Sequence, residues 1–133
     1  MKYIFLFFFI MVTCANAEIT LRQYNDLYCY DGDTCYVMAN NEKMKIRLLE
    51  LDTPEISKPK CEAELKLGLE ARDYLNNLIT NASSIEIRTK YEKDFFGRIL
   101  AFLIIDGEDV SAKIRENNLG VLYERNNKKD WCS

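Results

Sequence analysis

Lys43-Met44-Lys45-Ile46-Arg47-Leu48-Leu49-Glu50-Leu51-Asp52-Thr53-Pro54-Glu55 is the stretch on which the fold turns. Met44, Ile46 and Leu48 alternate with Lys43, Lys45 and Arg47, which is the period of a strand with one wet face, predicted over Lys43 to Leu49. The alternation fails at Leu48-Leu49, where two apolar residues adjoin. Arg47 and Asp52 therefore have opposite parity, and a regular strand would send them to opposite faces. A bend or bulge after Leu48 would bring both to one site. Pro54, with no N–H to donate, ends the strand.

Toward the N-terminus, Ile19 to Tyr30 reads as a first strand, Asp31-Gly32-Asp33 as a hairpin turn, and Thr34 to Ala39 as a second strand before a turn at Asn40-Asn41. Toward the C-terminus, Cys61 to Thr80 reads as a helix with an apolar stripe of Leu65, Leu69, Leu75, Leu78 and Ile79; Glu62, Glu64, Lys66, Arg72 and Asp73 fall mostly off it. Ile85 to Thr89 is a fourth strand and Arg98 to Ile105 a fifth, followed by an Asp106-Gly107 turn and a short helix over Val110 to Asn117. Leu119 to Tyr123 is a last extended piece before a polar tail. Short strands with one interposed helix fit a small closed barrel better than a parallel sheet. The expected fold is α+β by element content: a five-stranded oligonucleotide-binding β-barrel with two to three helices.

The 133 residues amount to one domain, and 48% hydrophobic with 29% charged residues is the balance of a globular chain. There is no histidine. Its absence excludes Ser-His-Asp and Cys-His nucleophile pairs, imidazole acid–base catalysis and every zinc site built on histidine. Lys2, the apolar run from Tyr3 to Val12 and the small residues Ala15 and Ala17 read as an export signal over 1–17, with a single domain over 18–133. The apolar run is too short to span a bilayer, and Thr13 and Met11 fit a lipoprotein signal around Cys14 poorly. Removing 1–17, which carries Lys2 and no acid, leaves 17 basic against 21 acidic residues, a net charge of −4. That argues against broad adhesion to nucleic acid, leaves a local basic patch open, and suits carboxylates gathered around a cation. Of the four remaining cysteines, Cys29 and Cys35 flank Gly32 symmetrically in the hairpin, which favours a Cys29–Cys35 bridge and leaves Cys61 for Cys132. An exported product would be secreted or periplasmic.

Three separated segments supply one set of chemistry-bearing side chains: Asp31-Gly32-Asp33-Thr34, Arg47 through Glu55, and Asp94-Phe95-Phe96-Gly97-Arg98. Each has an ordinary reading alone, as a hairpin turn, a solvated acidic strand end and a surface arginine. Together, Asp31-Gly32-Asp33-Thr34, Arg47-Leu48-Leu49-x-x-Asp52-Thr53-Pro54-Glu55 and Phe96-Gly97-Arg98 resemble the staphylococcal nuclease (thermonuclease) family, from about Leu27 to Tyr123. The resemblance implies an oligonucleotide-binding barrel and calcium-dependent cleavage of DNA and RNA that leaves 3′-phosphates. It implies that Asp33, Asp52 and the Thr53 carbonyl bind calcium, that Glu55 positions or deprotonates the attacking water, and that Arg47 and Arg98 grip the scissile phosphate. Tyr123 corresponds to an aromatic that packs on the nucleotide. DNA and RNA would be substrates of a monomer with no stable protein partner.

The chemistry stands beside the resemblance. Phosphodiester hydrolysis accumulates negative charge on five-coordinate phosphorus, and two arginines meet it with planar donors. Calcium acidifies its water less than zinc does, so a separate base is useful, and without histidine Glu55 is the natural candidate. Phe95 and Phe96 stand where the family often has lysine and tyrosine, which would weaken substrate binding more than the chemical step. Arg125 lies near a second expected tyrosine, and the tail from Asn126 to Ser133 is too short for the C-terminal helix of familiar members. Tyr24, Tyr28, Tyr30, Tyr36, Tyr74 and Tyr91 are read as ordinary strand or core-edge residues, Lys128 and Lys129 as a solvated tail, and Asn81-Ala82-Ser83 as a chance glycosylation sequon. Two other classes compete: a non-catalytic nucleic-acid or protein-binding module on the same fold, and a small disulfide-bonded structural or inhibitor protein. The presence of Asp33, Arg47, Asp52, Glu55 and Arg98 together favours catalysis.

Overall fold

The computed structural model describes residues 19–21, 25–39 and 41–133. The expected export signal and Tyr24 lie outside the described residues. Strands β1 (Ile19–Leu21), β2 (Asn25–Cys29), β3 (Thr34–Ala39) and β4 (Glu42–Leu48) precede helix α1 (Glu62–Thr80); β5 (Ile85–Lys93), β6 (Ile99–Ile105) and β7 (Glu108–Asp109) precede α2 (Val110–Glu116). All strands share one sheet in the order β1-β5-β6-β4-β3-β2, with β7 on β6. Every pair is antiparallel except β4 with β6.

The five expected strands are recognisable in these seven segments. The first is split into β1 and β2, and β7 is a two-residue addition. The split has a topological purpose. β1 and β2 form the two edges of the sheet, yet only residues 22–24 separate them, so the edges lie within roughly 14 Å of each other at that point. One piece pairs with β5 and the other with β3, which makes the sheet a barrel of the oligonucleotide-binding type.

The barrel closes around Val37, Ile46, Leu48, Ile87, Ala101 and Leu103, and α1 and α2 cover it with Leu75, Val110 and Ile114, all buried. The α1 stripe holds in its second half, where Leu75 is buried and Leu78 and Ile79 pack against the core, and differs in its first half. Its buried positions are Glu64, Gly68, Ala71 and Leu75, while Leu65 and Leu69 are only half buried. The reason is close approach: a Cβ on Gly68 would lie 2.9 Å from the Pro54 carbonyl oxygen, so small residues let the helix rest on the segment after β4. Asn76 fixes α1 to the sheet by accepting from the Cys29 N–H and donating to the Cys29 carbonyl, each at 2.9 Å. Cys29–Cys35 and Cys61–Cys132 are both disulfide-bonded, as the sequence favours.

Candidate active site

Three chain segments meet at one mouth of the barrel: the turn between β2 and β3, the segment after β4, and the turn before β6. In the first, Asp31 Oδ1 accepts from the N–H groups of Asp33 and Thr34, at 3.0 and 2.8 Å, and so shapes the turn. A Cβ on Gly32 would come within 2.7 Å of Thr53 Cγ2 and 2.9 Å of Ala71 Cβ, so glycine alone lets the turn press against its neighbours. Burial and the adjacent Asp33 charge push the Asp31 carboxyl up to about 7, against the pull of its two backbone donors.

The break in alternation after Leu48 is a turn at Leu49-Glu50, with Glu50 in the left-handed region at φ 57°. It lets Arg47 and Asp52 face one another, as the parity argument requires. Arg47 Nη1 donates to the carbonyls of Leu48 and Leu51 at 2.7 and 2.8 Å. Its Nη2 lies 3.4 Å from Asp33 Oδ2 and 3.8 Å from Asp52 Oδ1. Asp33 Oδ2 also accepts from the Thr53 N–H and hydroxyl, both at 3.0 Å, which leaves the Thr53 carbonyl outside that contact. Helix α2 backs the turn through the buried Ser111 hydroxyl, which donates to the Leu49 carbonyl at 2.8 Å.

Asp52 is held above the ordinary carboxylate range by burial and then by Asp33, with Lys128 and Arg47 opposing. Glu55 is raised by partial loss of water and then by Asp33; Lys128 again opposes, while Asp52 and Glu64 add to the rise. Glu55 itself is exposed, so water reaches one side of it. Its backbone N–H donates to Glu64 Oε1 at 3.3 Å.

Arg98 comes from the opposite wall. Its Nε donates to Asp94 Oδ2 at 2.6 Å, and its Nη1 lies 3.5 Å from the Thr34 hydroxyl, which in turn donates to Asp33 Oδ1 at 3.1 Å. Burial works to raise the Asp94 carboxyl, but the hydrogen bonds and charge of Arg98 outweigh it and hold Asp94 below the ordinary range. Phe95 and Phe96 form the tip of this turn, 96% and 77% exposed, and the Arg98 guanidinium sits 5.3 Å from the Phe96 ring centre. Tyr123 lies beside Arg47, 5.7 Å from guanidinium carbon to ring centre. Its segment is held there by paired backbone hydrogen bonds of 2.8 and 2.9 Å between Asp52 and Val121.

The sequence-predicted residues thus gather in one place. Buried Asp33 and Asp52 both face the Arg47 guanidinium, and burial beside a like charge raises Asp52; their hard oxygen atoms are of the kind that a divalent cation would take. The group of Cys61, Glu64 and Cys132 is different, because both sulfurs are spent in the disulfide. A cavity of about 200 Å³ between Arg88, Thr89, Leu100 and Phe102 contains none of the site residues.

Asp31 builds the turn that aims Asp33, in keeping with the hairpin turn read there. Sequence reasoning missed two contributors. Glu64, three residues after the helix N-cap Cys61, accepts from the Glu55 and Lys60 N–H groups, and no local motif announces this role. Lys128 acts electrostatically on both Asp52 and Glu55, although its place in the chain reads as solvated tail. No local signal marks it, because its position depends on Val121 pairing with Asp52 and on Cys132 bonding to Cys61.

Fold and site together define a barrel that presents two arginines and a cluster of carboxylates at its mouth. Residues 45–131 match the model of the staphylococcal nuclease homologue family, and the chain belongs to that family. It is 31% identical over 98 residues to the thermonuclease of Staphylococcus hyicus, covering 74% of this chain and 57% of that protein. It is likewise 31% identical over 102 residues to endonuclease YncB of Bacillus subtilis, covering 74% and 48%. An uncharacterized protein of Methanocaldococcus jannaschii is 32% identical over 112 residues, covering 71% and 54%. The chain spans about half the length of the relatives it matches.

Proposed function

We propose that this chain is an exported, calcium-dependent endonuclease that hydrolyses phosphodiester bonds of DNA and RNA with little sequence preference and leaves 3′-phosphates. One observation carries the reading: Asp33, Asp52, Arg47 and Arg98, drawn from three separate segments, are joined in one continuous network of contacts beside exposed Glu55. A surface that merely bound nucleic acid would have no use for carboxylates at its centre, where they repel phosphate.

Asp33, Asp52 and the Thr53 carbonyl would hold the calcium ion, which supplies positive charge against the phosphate oxygens. The protein's own groups do the rest. Glu55 takes a proton from the attacking water as its oxygen bonds to phosphorus, and its raised proton affinity makes it a better base than an ordinary carboxylate. The P–O5′ bond breaks, the 5′ oxygen leaves with a proton from solvent, and the phosphate stays on the 3′ side. Arg47 and Arg98 donate to the equatorial oxygens as their charge grows, and Tyr123 packs against the nucleotide. We read 1–17 as the export signal and 18–133 as one monomeric domain, secreted or periplasmic.

The test uses oxidised protein from Glu18 onward with single-stranded DNA, in calcium and then in excess chelator, beside a Glu55→Gln variant whose folding is checked by circular dichroism. Cleavage should require calcium and fall by about 10²–10⁴ in the variant. Folded wild-type protein that binds the strand without cutting it would make the chain a binding module instead.

A further inference from the structure

The wet face of β4 continues past Arg47. In the β3–β4 register Thr34 faces Arg47, Tyr36 faces Lys45 and Met38 faces Lys43, while on the other side of β3 Tyr36 faces Tyr28. Residues two apart in a strand share a face, so Arg47, Lys45 and Lys43 line up on the outside of the barrel with Thr34 and Tyr36 beside them. Each step along the row is about 6.7 Å, which suits successive nucleotides of an extended strand. Arg98 reaches across the same face to Thr34, so the row begins at both arginines of the active site.

The side chains along it are arranged rather than scattered. Tyr28 and Tyr36 stack with ring centres 5.3 Å apart and planes 20° from parallel. The Lys43 ammonium sits 4.6 Å from the Tyr36 ring centre and 5.7 Å from that of Tyr28, and the Lys45 ammonium is 5.5 Å from Tyr36. Both ammonium groups thus lie within cation–π range of the Tyr36 ring. Among the described residues, neither lysine forms an ion pair with a carboxylate, although the chain as a whole is acidic. Tyr28 is 45% exposed, so its ring is within reach of solvent and of a ligand. Free cations interleaved with aromatic faces are what a polynucleotide needs: charge for its phosphates and flat surfaces for its bases.

We infer that Lys43, Lys45, Tyr36 and Tyr28 form a binding track for single-stranded nucleic acid, which receives the part of the substrate strand that flanks the scissile phosphate. The lysines take phosphates, Tyr36 positions the lysines, and Tyr28 stacks on a base. The track is one strand wide and continuous with Arg47, so the occupant is the substrate strand itself rather than a protein partner. It also answers the apolar tip of the Asp94–Arg98 turn: where that tip carries Phe95 and Phe96, the row on β4 carries cations. This inference rests on the reading of the candidate active site as one for polynucleotides.

The experiment compares wild type with a Lys43→Gln/Lys45→Gln double variant and, separately, with Tyr28→Ala; melting curves confirm the fold. Fluorescence anisotropy in chelator measures binding of a long oligothymidylate and of a duplex across a salt series. In calcium, kcat/KM is measured for the same oligothymidylate and for a dinucleotide. Losing two phosphate contacts should flatten the plot of log K against log salt by about 1.4 for the single strand. The advantage of the long strand over the dinucleotide in kcat/KM should narrow, mainly through KM. Tyr28→Ala should weaken single-strand binding without altering the salt slope. An unchanged slope in the double variant overturns the track, and an equal loss for duplex overturns its assignment to a single strand. Wild type that binds but cleaves neither substrate defeats the nuclease reading alone, because the binding arm still decides the track.

Discussion

Arg47 and Arg98 approach the same site from walls built in different ways. The Arg47 side chain is 12% exposed; two carbonyls accept from it, two carboxylates face it, and α2 braces the turn beyond it. The Arg98 side chain is 22% exposed, relies on one firm carboxylate partner in Asp94, and stands behind a turn whose tip is two solvent-facing phenylalanines. The first wall is part of the folded core's hydrogen-bonding economy, so its arginine is aimed before any substrate arrives. The second is a lever on a hairpin, set by a local ion pair. Two residues with the same expected duty toward phosphate therefore carry different duties toward the fold.

The sharpest way to break that comparison is to remove each arginine in turn. Arg47→Ala and Arg98→Ala should each cost a hundredfold or more in cleavage, about 3 kcal/mol of lost charge stabilisation. Urea unfolding in chelator should separate them. Arg47→Ala strands buried Asp33 and Asp52 beside each other and should cost about 3 kcal/mol of stability, whereas Arg98→Ala should cost about 1 kcal/mol. Equal losses would mean that the two walls do not differ.

A smaller effect is expected from Asp94→Asn, which leaves Arg98 present but loosely aimed. Cleavage should fall about tenfold, mostly in kcat, with Arg47 unaffected. The same pair gives a pH signature. The folded Asp94 carboxyl lies below its ordinary value, so its stabilising contribution is full above the unfolded value, near about 3.9, and is lost as pH falls through the lower folded value. An NMR titration of the Asp94 carboxyl should show the depressed midpoint in wild type and its return toward the ordinary value in Arg98→Ala.

Lys128→Ala should have the smallest effect, less than about fivefold on KM, as befits an exposed charge acting at a distance. It should nonetheless raise the Glu55 midpoint, since Lys128 now opposes that rise. An unmoved Glu55 titration would show that the tail belongs to neither wall.

Much of this was legible along the chain. The Arg47–Asp52 parity conflict demanded a bend after Leu48, and the turn at Leu49-Glu50 is there. The second strand is Thr34–Ala39 as read, and the long helix differs only in that Cys61 caps it rather than joining it. The α1 stripe holds at Leu75, Leu78 and Ile79, which face the core, and fails at Leu65 and Leu69 in the first turns. Contact with the Pro54–Ile56 segment selects Gly68 for its size, and the turn at Gly32 presses on Ala71; both contacts join residues far apart in sequence. The first strand's division was equally invisible, since nothing in its pattern announces that its two ends serve opposite edges of a barrel.

The sequence by itself determined what is local: turn chemistry at Asp31-Gly32-Asp33, strand alternation over Lys43 to Leu48, helix caps, and the stock of carboxylates and arginines available without histidine. Such features depend on neighbours within a few residues, where backbone sterics and hydrogen-bonding geometry leave few choices. Only the tertiary structure decided that Asp33 and Asp52 share Arg47, that Glu64 holds the backbone of Glu55, and that a tail pinned at Val121 and Cys132 brings Lys128 to the carboxylates. Electrostatic and packing interactions act through space, and closing the barrel sets those distances.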